Sequence, residues 1–209
     1  MENKIQNIMQ FYTMCVKLKN TIRTGPLVWN IKRERVESVA EHIYGTQMLA
    51  IAIYYQFSYS LDLKKIIFML AIHELEEILI GDYAFYQISR DEKLIQGKDA
   101  VEHILKDFVN KEEIVNLLDE FNERVTKEAK FAHRCDKLEC DLQIKLYEQE
   151  GCFDLIHQEN NPLMNDSYVK GLLESEKSLA NAWIEFDRKE YEEDPNFLVI
   201  IDYLKKHEI

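Results

Sequence analysis

From Leu63 to Ile80 the chain is apolar almost all the way round a helix, yet His73, Glu74, Glu76 and Glu77 interrupt it near its end. At ~100° per residue, Leu63, Ile66, Ile67 and Leu70 fall on one side of that helix, and Phe68, Ile72, Leu75 and Leu79 on the other. A helix apolar on two sides belongs in the middle of a domain. Glu74 and Glu77 project from the first side with His73 at its edge. Glu76 points away and is expected to be exposed or salt-bridged. Burying ionised carboxylates without a partner is costly, so the stretch calls for a metal, another cation or a shared proton.

The rest of the chain suits a helical protein built around such a site. Only three prolines and six glycines punctuate 209 residues, and polar runs such as Asp107 to Lys130 carry helix-forming Glu, Lys and Leu. With 46% apolar and 31% charged residues, the composition is that of a globular protein. The expected class is all-α. No apolar run approaches the ~18–20 residues of a membrane span. Met1-Glu2-Asn3-Lys4 is followed by no signal-peptide core, so the expected location is the cytoplasm, away from membranes. A net charge of −12 argues against a duplex nucleic-acid partner, whose phosphates need a basic face, but leaves room for a small phosphorylated ligand met by local arginines or a metal. Cys15, Cys135, Cys140 and Cys152 form no C-x-x-C pair and read as reduced thiols, with no zinc site and no disulfide.

Caps and breakers set the expected elements. A first helix runs from about Ile5 to Lys19, with Ile5, Ile8, Met9, Tyr12, Cys15 and Val16 as an apolar stripe. Thr24-Gly25-Pro26 breaks it, and Leu27 to Val36 is an irregular link. Ser38-Val39-Ala40-Glu41 reads as a capping box for a helix reaching about Tyr55, with His42 in its first turn. Asp62 is the expected N-cap of the central helix and Gly81 its terminating residue. Further helices are expected over roughly Lys98–Val109, Glu112–Glu123 and Lys127–Glu150, the last ended by Gly151. Asn160-Asn161-Pro162 marks a late boundary, followed by helices from about Ser167 to Glu192 and after Pro195.

Four polar groups on three of these helices carry the chemistry: His42, the adjacent His73 and Glu74, and Asp136. Imidazole and carboxylate together suit Mn, Fe, Co, Ni or Zn better than Ca. Asp136 shares a face with Ala129, Ala132, His133 and Cys140, small neighbours that let another helix come close. His133 is expected to stand behind the ligands or at the surface.

The order His42, His73-Glu74, Asp136 resembles the HD-domain metal-dependent phosphohydrolases. Arg35-Val36-Glu37-Ser38-Val39-Ala40-Glu41-His42 is similar to the R-x-E-S-V-A-E-H of that superfamily's 5′-deoxynucleotidase branch. His73 to Asp82 resembles its H-D-x-x-E-x-x-x-G-D, Asp136-Lys137-Leu138-Glu139 its D-K-L-E, and Arg23-Thr24-Gly25 an upstream R-T-G. The similarity spans roughly residues 5–150, with two departures: glutamate stands at Glu74 where the signature has aspartate, and Pro26 follows Gly25 where the branch has an aromatic residue, the nearest tryptophan being Trp29.

The resemblance implies a single HD-domain helical bundle over residues 1–160, with a C-terminal helical extension over 161–209 packed on it. It implies one divalent transition-metal ion on His42, His73, Glu74 and Asp136, and hydrolysis of nucleoside, particularly deoxynucleoside, 5′-monophosphates. In this scheme Glu77 activates the water, and Asp82 assists it or holds the sugar. Arg23 and Arg35, with Arg33 beside them, meet the phosphate. A homodimer is implied as well. Two rival readings are a metal- or nucleotide-binding regulatory protein with a decayed site, which the Glu74 substitution favours, and an HD phosphohydrolase acting on another nucleotide.

Overall fold

The structure, a computed structural model, describes residues 1–209 apart from Phe85 and Asp154. Among the described residues there is no β-strand. The chain winds through α1 (Glu2–Cys15), α2 (Thr24–Val28), α3 (Val39–Gln56), α4 (Leu63–Ile72), α5 (Glu77–Ile80), α6 (Arg90–Ile104) and α7 (Lys111–Glu123). It continues through α8 (Lys127–Gln149), α9 (Ser167–Glu176), α10 (Leu179–Tyr191) and α11 (Pro195–Leu204). Among the described residues no helix is long and apolar enough to cross a membrane.

The caps fall where the sequence places them. Ser38 Oγ accepts from Glu41 N while Glu41 Oε2 accepts from Ser38 N at 3.0 Å, closing the capping box of α3. Asp62 accepts from Lys65 N at 3.1 Å at the start of α4. Gly81 follows α5 at φ 81°, a conformation that any other residue would hold under strain.

The central helix is not continuous. After α4 the chain tightens into 3₁₀-like turns over His73–Glu76, where Leu75 N and Glu77 N donate to carbonyls three residues back rather than four, before α5 resumes. Burial varies along it, and Leu75 on the second side is 4% exposed. Ile66, Met69 and Leu70 are fully buried, each worth about 1.5–3 kcal/mol relative to exposure, whereas Phe68 is 39% and Leu79 43% exposed.

Other boundaries shift for local reasons. The expected breaker Thr24-Gly25-Pro26 opens the short α2, which takes in Leu27 and Val28 of the expected irregular link, because proline fits the first turn of a helix. The Ser89/Glu92 capping box starts α6 at Arg90, eight residues before the expected start at Lys98. Lys177 takes a left-handed conformation at φ 56°, and Ser178 then caps α10, so the expected Ser167–Glu192 helix is two. The Glu148 carboxylate of α8 accepts from Ser178 Oγ and Leu179 N, both at 2.7 Å, and pins that corner. On α1 the stripe Ile5, Ile8, Met9 and Tyr12 faces outward, each more than half exposed, while Phe11, Met14 and Cys15 pack inward.

Helix α8 is the spine, touching α3, α4 and α10. Ala50 and Ile53 of α3, Ile66, Met69 and Leu70 of α4, and Phe131, Cys135 and Leu138 of α8 share one cluster with Ile184 and Tyr191 of α10 and Phe197 and Ile201 of α11. The α3–α4–α8 contact places His42, His73 and Asp136 on converging faces. An isolated antiparallel bridge, Ile22 with Ser38, ties the Arg23-Thr24-Gly25 segment to the start of α3.

Candidate metal centre and its cavity

His42, His73, Glu74 and Asp136 place one donor atom each within 4.8 Å of all the others. His42 Nε2 lies 3.0 Å from Asp136 Oδ1 and 3.9 Å from Glu74 Oε1. His73 Nε2 lies 3.6 Å from Glu74 Oε1 and 3.7 Å from Asp136 Oδ1. Donors that each sit ~2.0–2.2 Å from one ion lie about 3–4 Å from one another, which is the spacing here. His73 and Glu74 are adjacent and diverge, so they meet only at the edge of the cluster, with His73 Nε2 and Glu74 Oε1 3.6 Å apart.

Both imidazoles are held with Nε2 turned inward. His42 Nδ1–H donates to Glu139 Oε2 at 2.5 Å, and His73 Nδ1–H donates to the Leu70 carbonyl at 2.8 Å. The two Nε2 atoms face each other at 3.4 Å, fully or almost fully buried. Two inward lone pairs between two carboxylates need a cation, and an imidazole whose other nitrogen donates to a carboxylate or carbonyl is the usual supporting arrangement of a metal ligand. The donor set therefore fits a divalent transition metal. Without one, a proton takes the position: burial and Arg23 push the His42 imidazole down, but its hydrogen bonds to Asp136 and Glu139 prevail and hold it at about 9. Burial raises the Glu74 carboxyl, yet His73, Lys93 and Arg23 bring it to about 2.

Glu139 has its place because Gly45 has no side chain. A Cβ on Gly45 would lie 2.5 Å from Glu139 Oε1 and 3.1 Å from its Cγ. Gly45→Ala is therefore expected to push Glu139 off His42 and weaken metal affinity by ~10–100-fold, as loss of such supporting contacts does. Metal titration of the variant against the parent checks this. Equal affinity would show that Glu139 does not set the orientation of His42.

Arg23 and Asp82 close the other side. Arg23 donates to Glu74 Oε1 and to Cys140 Sγ, both at 3.2 Å, and lies 3.8 Å from Asp82 Oδ1. Asp82 Oδ2 accepts from Thr24 N at 2.6 Å, and Thr24 Oγ1 donates to the Asp82 carbonyl at 2.7 Å. The Arg-Thr-Gly and Gly-Asp segments are thus stitched together beside the cluster.

A cavity of about 360 Å³ opens in front of His73, Glu74 and Asp136, with Arg23 and Asp82 in its wall. It is large enough for a small-molecule ligand. Glu77 is not in that wall. It is buried beneath, its Oε1 accepting from Lys93 Nζ at 3.0 Å and its Oε2 without a hydrogen-bond partner among the described residues. Burial and Glu74 push its carboxyl well above the usual range, against the pull of Lys93. Glu76, expected to point away, is half-buried and lines the cavity, and burial with Glu74 raises it to about 7. Of these two glutamates it is Glu76, not Glu77, that faces the cavity.

Arg35 and Arg33 do not reach the cavity. Arg35 is paired with Glu41, and its side chain is 77% exposed. Arg33 pairs with Glu150 at 3.0 Å. Both line a separate surface depression with Glu37 and Tyr147. Sequence reasoning also passed over Lys93, Gly45 and the cavity-facing Arg90, Arg124 and Lys137. The Ser89-Arg90-Asp91-Glu92 capping box held a usable signal, since it puts Arg90, Lys93 and Gly97 on one face of α6. Nothing local marks Arg124.

The family described as HD domain matches residues 15–158. The chain is 34% identical over 148 residues to 5′-deoxynucleotidase HDDC2 of Danio rerio, covering 69% of this chain and 72% of that one. It is 31% identical over 173 residues to 5′-deoxynucleotidase HDDC2 of Dictyostelium discoideum, covering 78% and 87%. Among solved structures, a conserved hypothetical protein from Pyrococcus furiosus superposes with a TM-score of 0.62 at 20% identity, covering 95% of this chain and 99% of that one. A predicted metal-dependent phosphohydrolase from Magnetospirillum magnetotacticum does so with a TM-score of 0.59 at 22% identity, covering 97% and 96%. At those identities the two structures establish a shared fold.

Proposed function

The chain belongs to the HD-domain family, and from that premise we propose that it is a metal-dependent phosphomonoester hydrolase releasing phosphate from nucleoside, in particular deoxynucleoside, 5′-monophosphates. The observation that carries this reading is the pair of inward Nε2 atoms at 3.4 Å, flanked by Glu74 and Asp136. His42, His73, Glu74 and Asp136 would hold one divalent transition-metal ion, Mn, Co, Fe, Ni or Zn. When bound, such an ion polarises a phosphoryl oxygen and makes water a nucleophile at neutral pH.

The chain's own residues do the rest. Arg23, fixed against Glu74 and Asp82, presents a forked donor to the phosphate. Asp82, aimed by Thr24 N, holds a sugar hydroxyl or orients the attacking water. Of the two carboxylates offered for the proton of that water, Asp82 lines the cavity. Glu77, buried beneath the wall with Oε2 unpartnered among the described residues, takes it only if the water sits between Glu74 and Glu77. Arg35 has no part in this scheme.

Residues 1–160 form the hydrolase unit in this reading, with 161–209 as an extension packed against α8. A cytoplasmic location and a homodimer belong to the same proposal, and light scattering of the purified protein checks the second. Phosphate release by metal-reconstituted protein against a panel of nucleoside mono-, di- and triphosphates tests the activity. Hydrolysis of none would leave a binding protein, and hydrolysis of triphosphates alone would displace the monophosphate assignment.

Glu74 is the departure from the family signature. Glu74→Asp is expected to keep or raise phosphate release, since it restores the shorter ligand at the cost of a slightly larger gap. Abolished activity would mean that the site is built around glutamate, and a fully active Glu74→Ala would remove Glu74 from the ligand set.

A further inference from the structure

The cavity has a second end that the metal scheme does not use. Among the described residues its lining balances six cations against six carboxylates, but Lys93 and Lys98 are already paired with Glu77 and Asp119, which leaves Arg90 and Arg124 at this end beside Arg23 and Lys137. Arg23 bonds Cys140, and Arg124 stands at the level of His133, where Glu190 Oε2 lies 3.5 Å from Arg124 Nη1 and 4.0 Å from His133 Nδ1. Cys140 and His133 are two turns apart on α8, roughly 10 Å, with Asp136 between them. Cationic groups therefore sit on both sides of the cluster.

Arg124 is underused where it stands. Its Nε is buried without a hydrogen-bond partner among the described residues, and Glu190 engages only its far nitrogen. Arg90 spends one nitrogen on the carbonyl of Asn122, two residues before Arg124, at 3.3 Å. Burial and the proximity of Arg90 both lower the Arg124 guanidinium from its ordinary value, and Glu190, Asp136 and Asp187 only partly offset them. Buried guanidinium N–H groups without acceptors are costly, and a fork of such donors matches phosphate oxygens.

We propose that Arg90 and Arg124 form a second phosphate-binding subsite, separate from the position of the phosphate that is hydrolysed. It is filled either by a second phosphate group on the same nucleotide or by free inorganic phosphate. The proposal rests on the nucleotide-hydrolase reading for the identity of its ligand, but the binding can be measured without turnover. In the first case the enzyme prefers nucleotides phosphorylated at two positions.

The test has two arms. Inorganic phosphate, added to wild-type protein treated with chelator, is expected to raise the melting temperature. The rise should vanish in Arg90→Gln and in Arg124→Gln, and be partly kept in Arg124→Lys, which retains the charge and the Glu190 pair. Separately, the ratio of kcat/KM for deoxyadenosine 3′,5′-bisphosphate to that for deoxyadenosine 5′-monophosphate should fall about tenfold or more in Arg90→Gln and Arg124→Gln if the second phosphate is carried by the substrate. A lost melting shift with an unchanged ratio assigns the subsite to free phosphate. If both the shift and the ratio are the same in the glutamine variants as in wild type, the proposal is overturned, whether or not the protein hydrolyses nucleotides. A persistent, arginine-dependent shift in a protein that hydrolyses nothing keeps the subsite and overturns only the hydrolase reading.

Discussion

His73→Ala and Asp136→Asn proteins are expected to leave purification without their metal and to release phosphate about a thousandfold more slowly than wild type, or slower still. The first removes one inward Nε2, and the second weakens a donor that lies 3.0 Å from His42 Nε2. Removing one of four ligands sharply cuts affinity. The several kcal/mol of transition-state stabilisation that a bound metal supplies are then lost, at ~1.4 kcal/mol per factor of ten. Elemental analysis beside steady-state phosphate release is the measurement, with circular dichroism to show that the helices persist. Asp136→Asn keeps the shape of the side chain, so it guards against a result caused by unfolding. Full metal retention in both variants would falsify the ligand assignment.

Glu77→Gln is expected to lower kcat by ~10²–10⁴ while leaving metal content and substrate binding in place, the range typical of a lost general base. The substitution preserves volume and the acceptor that meets Lys93 at 3.0 Å, and it removes the basicity of the second oxygen, the one without a partner among the described residues. Turnover, metal content and KM measured on the same preparation separate the roles. A normal rate, or a loss wholly accounted for by lost metal, would remove Glu77 from proton transfer. Asp82, which faces the cavity and is aimed by Thr24, would then be the partner of the water. Asp82→Asn measured beside it decides between the two carboxylates.

The difference between these two glutamates and Asp82 shows where local reasoning stops. A regular helix through His73 and Glu77 puts Glu74 and Glu77 on one side and Glu76 on the other. The chain instead tightens into 3₁₀-like turns there, and Glu76 lines the cavity while Glu77 lies beneath it against Lys93. No residue in that stretch is a helix breaker. What surrounds the tightened turns comes from elsewhere in the chain: the Arg23 guanidinium on Glu74, and Gly97 of α6, where a Cβ would come within 3.3 Å of Glu76 Cγ. Arg35 shows the opposite case. Its position in a recognisable segment suggested a role at the phosphate, yet Glu41, which already closes the capping box of α3, captures it on the outer face.

By itself the sequence determined the all-α class, the caps at Ser38 and Asp62, the stop at Gly81 and the identities of His42, His73, Glu74 and Asp136 as one group. Those signals act within a turn or two of backbone, or through a motif whose order survives in the linear chain. Only the tertiary structure decided that these four meet within 4.8 Å, that Glu139 and the Leu70 carbonyl turn the imidazoles inward, and that α10 and α11 complete the core around α8. It also decided that Arg90 and Arg124 share a cavity with them. Each of these depends on helices distant in sequence being packed face to face, where burial removes water and a charge must find its partner in another segment of the chain.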